Sequence, residues 1–200
     1  FLLRYVPTGQ ISEEKLLDTV ALMSEHINRL ENYVNTMNAV QRLEDIIVQP
    51  QDIAIPTFVA QIKNNIKILA EQSEKNYEIH NQIAEFLLHF DDKIVLQVLD
   101  NLAANAFRYA QNMVRIECSV KSNYLQITVS DDGKGFSAED LKSATKPFYK
   151  DLSATDKNHF GLGLNICKIL CEKHGGSLIL MNNALGGAKV VANFYLKVSS

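Results

Sequence analysis

Asp92–Ala110 reads DKIVLQVLDNLAANAFRYA, and its periodicity decides the fold. Leu96, Leu99, Ala103 and Ala106 recur at three- and four-residue steps, which makes one apolar stripe on a helix. Gln97, Asn101, Asn105 and Arg108 recur at four, four and three, which makes a second stripe of amides ending in a cation. Asparagine forms helices poorly, because its amide competes for backbone groups. Two of them one turn apart beside apolar residues are either a solvated face or a row of oxygen ligands for a hard cation, with Arg108 aimed at phosphate.

Composition narrows the classes. A chain of 200 residues suits one large domain, or one domain with an appendage. The net charge of −3 gives no global basic field, so no nucleic-acid partner is expected. No apolar run reaches the roughly 18 residues that span a bilayer. The chain starts FLLRYVPTG without Met and with no signal-peptide pattern, which reads as a piece of something longer. Three cysteines without framework spacing point to a reducing compartment. Cys167 and Cys171 lie four apart on an expected helix with only His174 nearby, so they read as core and not as a zinc site.

Before the central helix the chain has two parts. Phe1 to Val6 reads as the last turn of an element, and Pro7-Thr8-Gly9 as a turn. Ser12 is an N-cap, with Glu13 and Glu14 suiting the helix dipole. Leu16, Val20, Met23, Ile27, Leu30, Val34 and Met37 then alternate at four and three residues, a heptad seam on a helix running to about Glu44. So narrow a seam suits packing on other helices, in a bundle or a dimer. The composition changes at Val48-Gln49-Pro50, which places a domain boundary between 1–48 and 49–200. Ile53 and Ile55 alternate as in a short strand, and Pro56 suits the first turn of a helix from Thr57 to Ser73. Tyr77, Ile79 and the stretch Ala84 to Phe90 read as strands.

After it, VRIECSV (114–120) and LQITV (125–129) alternate and form a hairpin. DDGKGF (131–136) is a strand-ending glycine turn, and Ser137 caps a short helix, Ala138 to Leu141. Thr145 to His159 is a long polar loop. Gly161-Leu162-Gly163-Leu164 opens a helix to about Lys173 that Gly175-Gly176 ends. Strands at 178–181 and 189–198 close the chain around Asn182-Asn183 and Gly186-Gly187. This order predicts an α+β domain, a mixed and largely antiparallel sheet with its helices on one face.

Three segments carry chemistry. The amide stripe is the first. Asp131-x-Gly133-x-Gly135 is the second; such a turn lets backbone approach a flat ligand while the Asp accepts a hydrogen bond from it. Gly161 to Leu164 is the third: free N–H groups at a helix start, with glycines admitting close approach, form an anion site. No G-x-x-x-x-G-K-[ST] occurs, so this is not a Walker loop.

In this order and at these separations, the segments resemble the catalytic, ATP-binding domain of a sensor histidine kinase of the two-component type. Asn101 to Tyr109 matches that family's N box, Asp131 to Gly135 its first glycine box, Pro147-Phe148-Tyr149-Lys150 its F box, and Gly161 to Leu164 with Ile166 its second glycine box. His174-Gly175-Gly176 and Gly186-Gly187 fit the closing pattern. The resemblance covers about Asp52 to Val198 and implies a two-layer α/β sandwich of the Bergerat type. The seam helix resembles the second helix of the family's dimerisation and phosphoacceptor hairpin.

The resemblance also implies roles. ATP and Mg²⁺ are the cofactors. Asn105 would ligate Mg²⁺, Asn101 would support the phosphates, and Gln97 would help orient the reaction. Arg108 would neutralise phosphate charge, and Tyr109 would pack near adenine. Asp131 would accept the adenine amino group, with Gly133 and Gly135 keeping the base pocket open and Phe136 closing that box. Thr145 to His159 would be a lid over the triphosphate, anchored by Phe148, with Lys150 a phosphate contact. The amides of Gly161, Leu162, Gly163 and Leu164 would hold phosphates. The γ-phosphoryl group would pass to a histidine and then to the aspartate of a response-regulator receiver domain. The parent would be a homodimer through the 12–44 helix, with this portion in the cytoplasm below a membrane anchor.

Departures stand out. Thr145 replaces a first aromatic of the F box, His159 a glycine before the second box, and Ala188 a hydroxyl on the closing strand. His26 lacks the Pro-containing acceptor pattern and reads as structural, so the acceptor would lie upstream of Phe1 and this chain alone would bind nucleotide without autophosphorylating. Three other readings compete. An ATP hydrolase of the gyrase and Hsp90 kind would need a glutamate base where Gln97 stands. A serine kinase of the anti-sigma type would lack the seam helix. A degenerate kinase would serve as a dimeric, nucleotide-sensing scaffold.

Overall fold

The structure is a computed structural model, and it describes residues 15–24, 26–27, 43, 45–149, 161–184 and 186–196. Two compact units are present, residues 1–42 and 43–200. In the first, residues 15–24 and 26–27 are helical. Of the expected seam, Leu16 is half-buried, while Val20, Met23 and Ile27 are exposed. Ser12, Leu30, Val34 and Met37 lie outside the described residues.

The second unit holds β1 (Gln51–Ala54), α1 (Ile55–Ser73), β2 (Asn76–Asn81), β3 (Leu87–Phe90), α2 (Asp92–Tyr109), β4 (Met113–Lys121), β5 (Tyr124–Asp131), α3 (Ala138–Ser143), α4 (Gly163–Lys173), β6 (Ser177–Asn182) and β7 (Ala188–Tyr195). Five strands form one sheet in the order β2-β4-β5-β7-β6. Only the β2–β4 pair is parallel; the other three are antiparallel. This is the mixed sheet the sequence predicts. One expected detail differs. The stretch Ala84 to Phe90 is a strand only from Leu87, and β3 leaves the main sheet to pair with β1, Gln51 opposite Phe90. Ile55 is likewise not in a strand but is the first residue of α1, because Pro56 at its start pre-sets the helical φ.

The core lies between one sheet face and α1, α2 and α4. Val114, Ile116 and Cys118 on β4, Leu125, Ile127 and Val129 on β5, and Val190, Ala192 and Phe194 on β7 alternate inward. Phe58, Ile62 and Ile66 supply the stripe of α1, and Phe58 meets Phe90 edge-on at 5.1 Å. The three cysteines are buried. Burial pushes the Cys118 and Cys171 thiols up to about 12 and holds that of Cys167 well above its ordinary value, so they act as small apolar groups.

Both ends of α2 are fixed by polar side chains. At its start Asp91 is the N-cap: Oδ1 accepts from the N–H of Ile94 at 3.2 Å and Oδ2 from that of Gln49 at 2.8 Å. The Asp91 N–H donates to His174 Nε2 at 3.1 Å, which ties the start of α2 to the end of α4. At its end Lys75 donates Nζ hydrogens to the carbonyls of Phe107 and Ala110, both at 2.6 Å, and reaches that of Arg108 at 3.4 Å. An ammonium on orphan carbonyls of a last turn satisfies them and opposes the helix dipole.

His174 is 6 % exposed and its Nε2 must stay unprotonated to accept from Asp91. Burial holds its pKa below the ordinary 6.5, partly offset by the nearby Asp91 carboxylate. The unfolded chain therefore takes up the proton first. The stability His174 supports is complete above pH 6.5 and is lost as pH falls from there through its own lower pKa. Urea unfolding of the protein between pH 7.5 and 5 should show stability falling as pH drops below 6.5, with a His174 contribution of at most about 1.4 kcal/mol per pH unit. His174→Phe should flatten that slope, and an unchanged slope would remove His174 as its cause.

Candidate functional site

Two clusters meet α2. The first gathers at its middle. Leu99, Ala103 and Ala106 are buried against the core, while Asn101, Asn105 and Arg108 are half-buried and Gln97 is exposed. Asn101 donates Nδ2 to the Gln97 carbonyl at 3.0 Å, which leaves its Oδ1 as the outward group. Facing it is Gly163, the first residue of α4. A Cβ there would stand 3.5 Å from Asn105 Nδ2 and 3.7 Å from Asn101 Oδ1. The amide stripe and the second glycine segment, 58 residues apart for Asn105 and Gly163, are thus adjacent. The N-cap of α4, Leu162, offers no side-chain hydrogen bond. Its first N–H groups stay available to an anion. Leu162 is buried and Leu164 packs against the core, so their backbone is what they offer such a ligand.

The loop leading here is pinned at both ends. Asn165 donates to the Thr145 carbonyl at 2.9 Å. Gly161, at φ +67°, packs so tightly on Tyr149 that a Cβ would overlap its carbonyl oxygen. The Tyr149 hydroxyl donates to Asp140 Oδ1 at 2.9 Å, and Asp140 belongs to the capping box of α3 with Ser137. Phe148, the expected anchor, is 41 % exposed. Lys150 and His159 lie outside the described residues.

The second cluster gathers at the end of α2. Asp131 is 7 % exposed. Its Oδ1 accepts from the N–H of Gly133 at 2.9 Å and of Ala188 at 3.3 Å. Among the described residues no donor reaches Oδ2, and no buried side-chain oxygen lacks a partner, so Oδ2 opens to solvent. Burial raises the Asp131 pKa, while the two backbone donors pull the other way. Gly133 lies against α2 itself: a Cβ would overlap the Tyr109 carbonyl oxygen and stand 2.9 Å from Asp131 Oδ1. Gly135, at φ +70°, has its own Cβ position closed by the Gly186 carbonyl and Asn182. Phe136 packs on the core, and Tyr109 is 40 % exposed beside this loop.

The structure sets Asn101 and Asn105 against Gly163, and Gly133 with Asp131 against the end of α2 at Tyr109; it also gives roles to Asp132, Asp91 and Lys75, which the sequence reading did not single out, and a partner to His174. Asp132 takes no outward role. It accepts from the N–H groups of Gln111, Asn112 and Met113 at 2.8–3.1 Å. Although burial pushes its pKa up, those N–H groups together hold it below the ordinary value. Asp91 and Lys75 cap α2; a helix-start rule applied at Asp91 finds the first, and nothing local marks the second. His174 fits a closing pattern in sequence, yet its bond to Asp91 spans 83 residues.

Several chemistries can be weighed. Among the described residues no group of three or more His, Cys, Asp and Glu could hold a metal. The available oxygens are neutral amides. That donor set suits Mg²⁺ arriving with phosphates and keeping its waters, since Mg²⁺ is held by few protein ligands in such sites. No helix among the described residues is long and apolar enough to cross a membrane.

Known proteins resemble this chain in family and in fold. A family model described as histidine kinase-, DNA gyrase B-, and HSP90-like ATPase matches residues 90–199. The sensor histidine kinase CpxA of Escherichia coli (strain K12) is 25 % identical over 181 residues, 90 % of this chain and 39 % of CpxA. The chain thus spans about two fifths of that relative's length. Full-length ShkA in complex with AMPPNP superposes with a TM-score of 0.72 at 18 % identity, covering 95 % of this chain and 40 % of ShkA. The Acinetobacter baumannii histidine kinase AdeS gives 0.66 at 18 % identity, covering 98 % and 92 %. The structural likenesses bear on the fold.

Gly133 offers a test that needs no ligand. Gly133→Ala forces the Asp131 loop off the Tyr109 carbonyl, and overpacking of backbone on backbone costs about 1–3 kcal/mol. Chemical denaturation should read that loss, whereas Gly186→Ala, with nothing within 4 Å but φ +99°, should cost only about 1 kcal/mol from backbone strain. Equal effects would mean that close approach at Gly133 carries no weight.

Proposed function

Because the chain belongs to the histidine kinase-, DNA gyrase B-, and HSP90-like ATPase family, and is the ATP-binding catalytic domain of a sensor histidine kinase, we propose that its pocket holds ATP with Mg²⁺ and delivers the γ-phosphoryl group to a histidine on another domain. The observation that carries this is the meeting of Asn101 and Asn105 with the uncapped start of α4 at Gly163. One wall offers amide oxygens and the other offers N–H groups. A triphosphate with its cation needs both.

The nucleotide would lie along α2. Asn101 and Tyr109 are eight residues apart, about 12 Å along a helix axis. The phosphates would sit at the Asn101–Asn105 end, held by the N–H groups of Gly161 to Leu164. Arg108 and Lys150 would add positive charge. Adenine would sit at the Tyr109 end, with its amino group donating to Asp131 Oδ2. Guanine carries an oxygen there and would meet the carboxylate with repulsion. Asn105 would hold Mg²⁺, which neutralises phosphate charge when bound. Gln97 would orient the incoming histidine from the exposed rim. Work of this kind is positioning and charge neutralisation.

The phosphoryl group would then pass to an aspartate of a response-regulator receiver domain. Residues 12–44 would pair two chains in the parent protein, and use of ATP would put the domain in the cytoplasm. A hydrolase of the gyrase and Hsp90 kind is disfavoured because Gln97 is an amide and no general base.

Calorimetric titration tests the reading. ATP with Mg²⁺ should bind saturably, and GTP should bind at least about 10-fold more weakly. Asn105→Ala should cost about 10-fold in affinity when Mg²⁺ is present and little when it is absent, since about 1.4 kcal/mol is tenfold. Unchanged Mg²⁺-dependent binding in Asn105→Ala would sink the assignment of that residue. Absence of binding at millimolar ATP would favour the scaffold reading.

A further inference from the structure

The turn between β6 and β7 closes on its own backbone. Asn183 N–H donates to the Gly187 carbonyl at 2.8 Å and Gly186 N–H to the Asn183 carbonyl at 3.0 Å. The two asparagine side chains reach beyond that turn, to opposite ends of the Asp131–Phe136 loop. Asn183 Nδ2 donates to the Asp131 carbonyl at 2.8 Å, and its Oδ1 accepts from Gly187 N–H at 3.2 Å. Asn182 Oδ1 accepts from Phe136 N–H at 2.7 Å, and its Nδ2 donates to the Phe136 carbonyl at 2.9 Å. Neighbouring residues therefore hold both ends of a six-residue loop.

Glycines let the two segments close up. A Cβ at Gly187 would overlap the Asp131 carbonyl oxygen, and one at Gly135 would overlap that of Gly186. With backbone against backbone, the loop has no independent height above the turn. The Asp131 carboxylate inherits this. One donor to its Oδ1 is Gly133 within the loop, and the other is Ala188, directly after the turn. Asn183 joins the Asp131 carbonyl to Gly187, the residue before Ala188. Ala188 itself has no side-chain hydroxyl to contribute; among the described residues the amides of Asn182 and Asn183 reach the loop from this strand pair.

The geometry points to Asn182 and Asn183 as positioning residues that aim Asp131 Oδ2 and so set base selectivity. This rests on the reading of the pocket as an adenine-nucleotide site. Asn183 acts at Asp131 directly. Asn182 acts at Phe136 and keeps the far end of the loop from lifting. Neither touches the base.

Binding of two nucleotides to the full chain tests this: ATP, and purine riboside 5′-triphosphate, which lacks only the 6-amino group. A hydrogen bond to a charged acceptor predicts that the natural chain prefers ATP by about 10-fold or more. Asn183→Ala should weaken ATP by about 10-fold and leave the amino-free analogue within about twofold, so the preference disappears. Asn183→Asp keeps an acceptor for Gly187 but cannot donate to the Asp131 carbonyl, and should lose the preference too. Asn182→Ala should reduce it in part, and serves alone if Asn183→Ala does not fold. Amide exchange at Gly133 and Ala188 in the nucleotide-free protein should speed up in Asn183→Ala. Retained preference in the variants overturns the proposal, and so does equal weakening of both nucleotides, which marks mere structural support. If the natural chain binds ATP and its variants discriminate as it does, only this proposal falls. If the natural chain binds neither nucleotide, the pocket reading falls and takes this one with it.

Discussion

The site depends on one helix being held at both ends. α2 carries the amide stripe on one side and eight buried apolar residues on the other. A helix gripped only by its apolar face could still slide along its axis, because apolar packing is weakly directional. The caps prevent this. Asp91 fixes the start through Ile94, Gln49 and His174, and Lys75 fixes the end through the carbonyls of Phe107 and Ala110. A shift of one turn would move Asn105 by about 5.4 Å and separate it from Gly163. Charge-assisted bonds at the ends therefore decide what the middle can do.

Around that helix, close approach does the work that side chains do in most sites. Gly133 sits on the Tyr109 carbonyl, Gly161 on Tyr149, and Gly187 on Asp131. Each contact brings a loop to a fixed element with nothing between them. Two of the three need no unusual φ, so the reason for glycine there is space rather than torsional freedom. This explains why glycine segments far apart in sequence belong to one pocket.

Much of this was legible before the structure. Period and punctuation placed α2, the β4–β5 hairpin, α4 and the last two strands, because each is an amphipathic element bounded by strong turn residues. The hairpin turn at Ser122-Asn123 shows why: both residues have positive φ, as a tight two-residue connection requires. The convergence of the amide stripe with Gly163 was legible only through resemblance to a family, since no local property of either segment encodes the other. What stayed hidden was long-range and polar. Lys75 looks like any lysine after a helix, and Asn182-Asn183 looks like any turn. Their partners lie 32–35 and 46–52 residues away. β3 was read three residues too long, because a run of residues does not mark where pairing begins.

The two clusters also differ in polarity, and the difference runs along α2. At the Tyr109 end the outward group is a carboxylate oxygen of Asp131, an acceptor in search of a donor. At the Asn101–Asn105 end the facing groups are the uncapped N–H groups of α4, donors in search of an anion. The dipole of α2 runs the same way, and its negative C-terminal end lies beside the Asp131 carboxylate. Two carboxylates and a helix end would repel there if unscreened. Lys75 on the last carbonyls offsets the helix end and works, as a minor contribution, against the rise that burial imposes on the Asp131 pKa, while the N–H groups of Gln111 to Met113 absorb Asp132. Among the described residues, a carboxylate oxygen of Asp131 is offered as acceptor at one end, and helix-start N–H groups with amide oxygens are offered at the other. A ligand with a donor on a flat ring and anionic groups about 12 Å away meets that order in one direction only. Orientation is thus built into the scaffold before any ligand arrives.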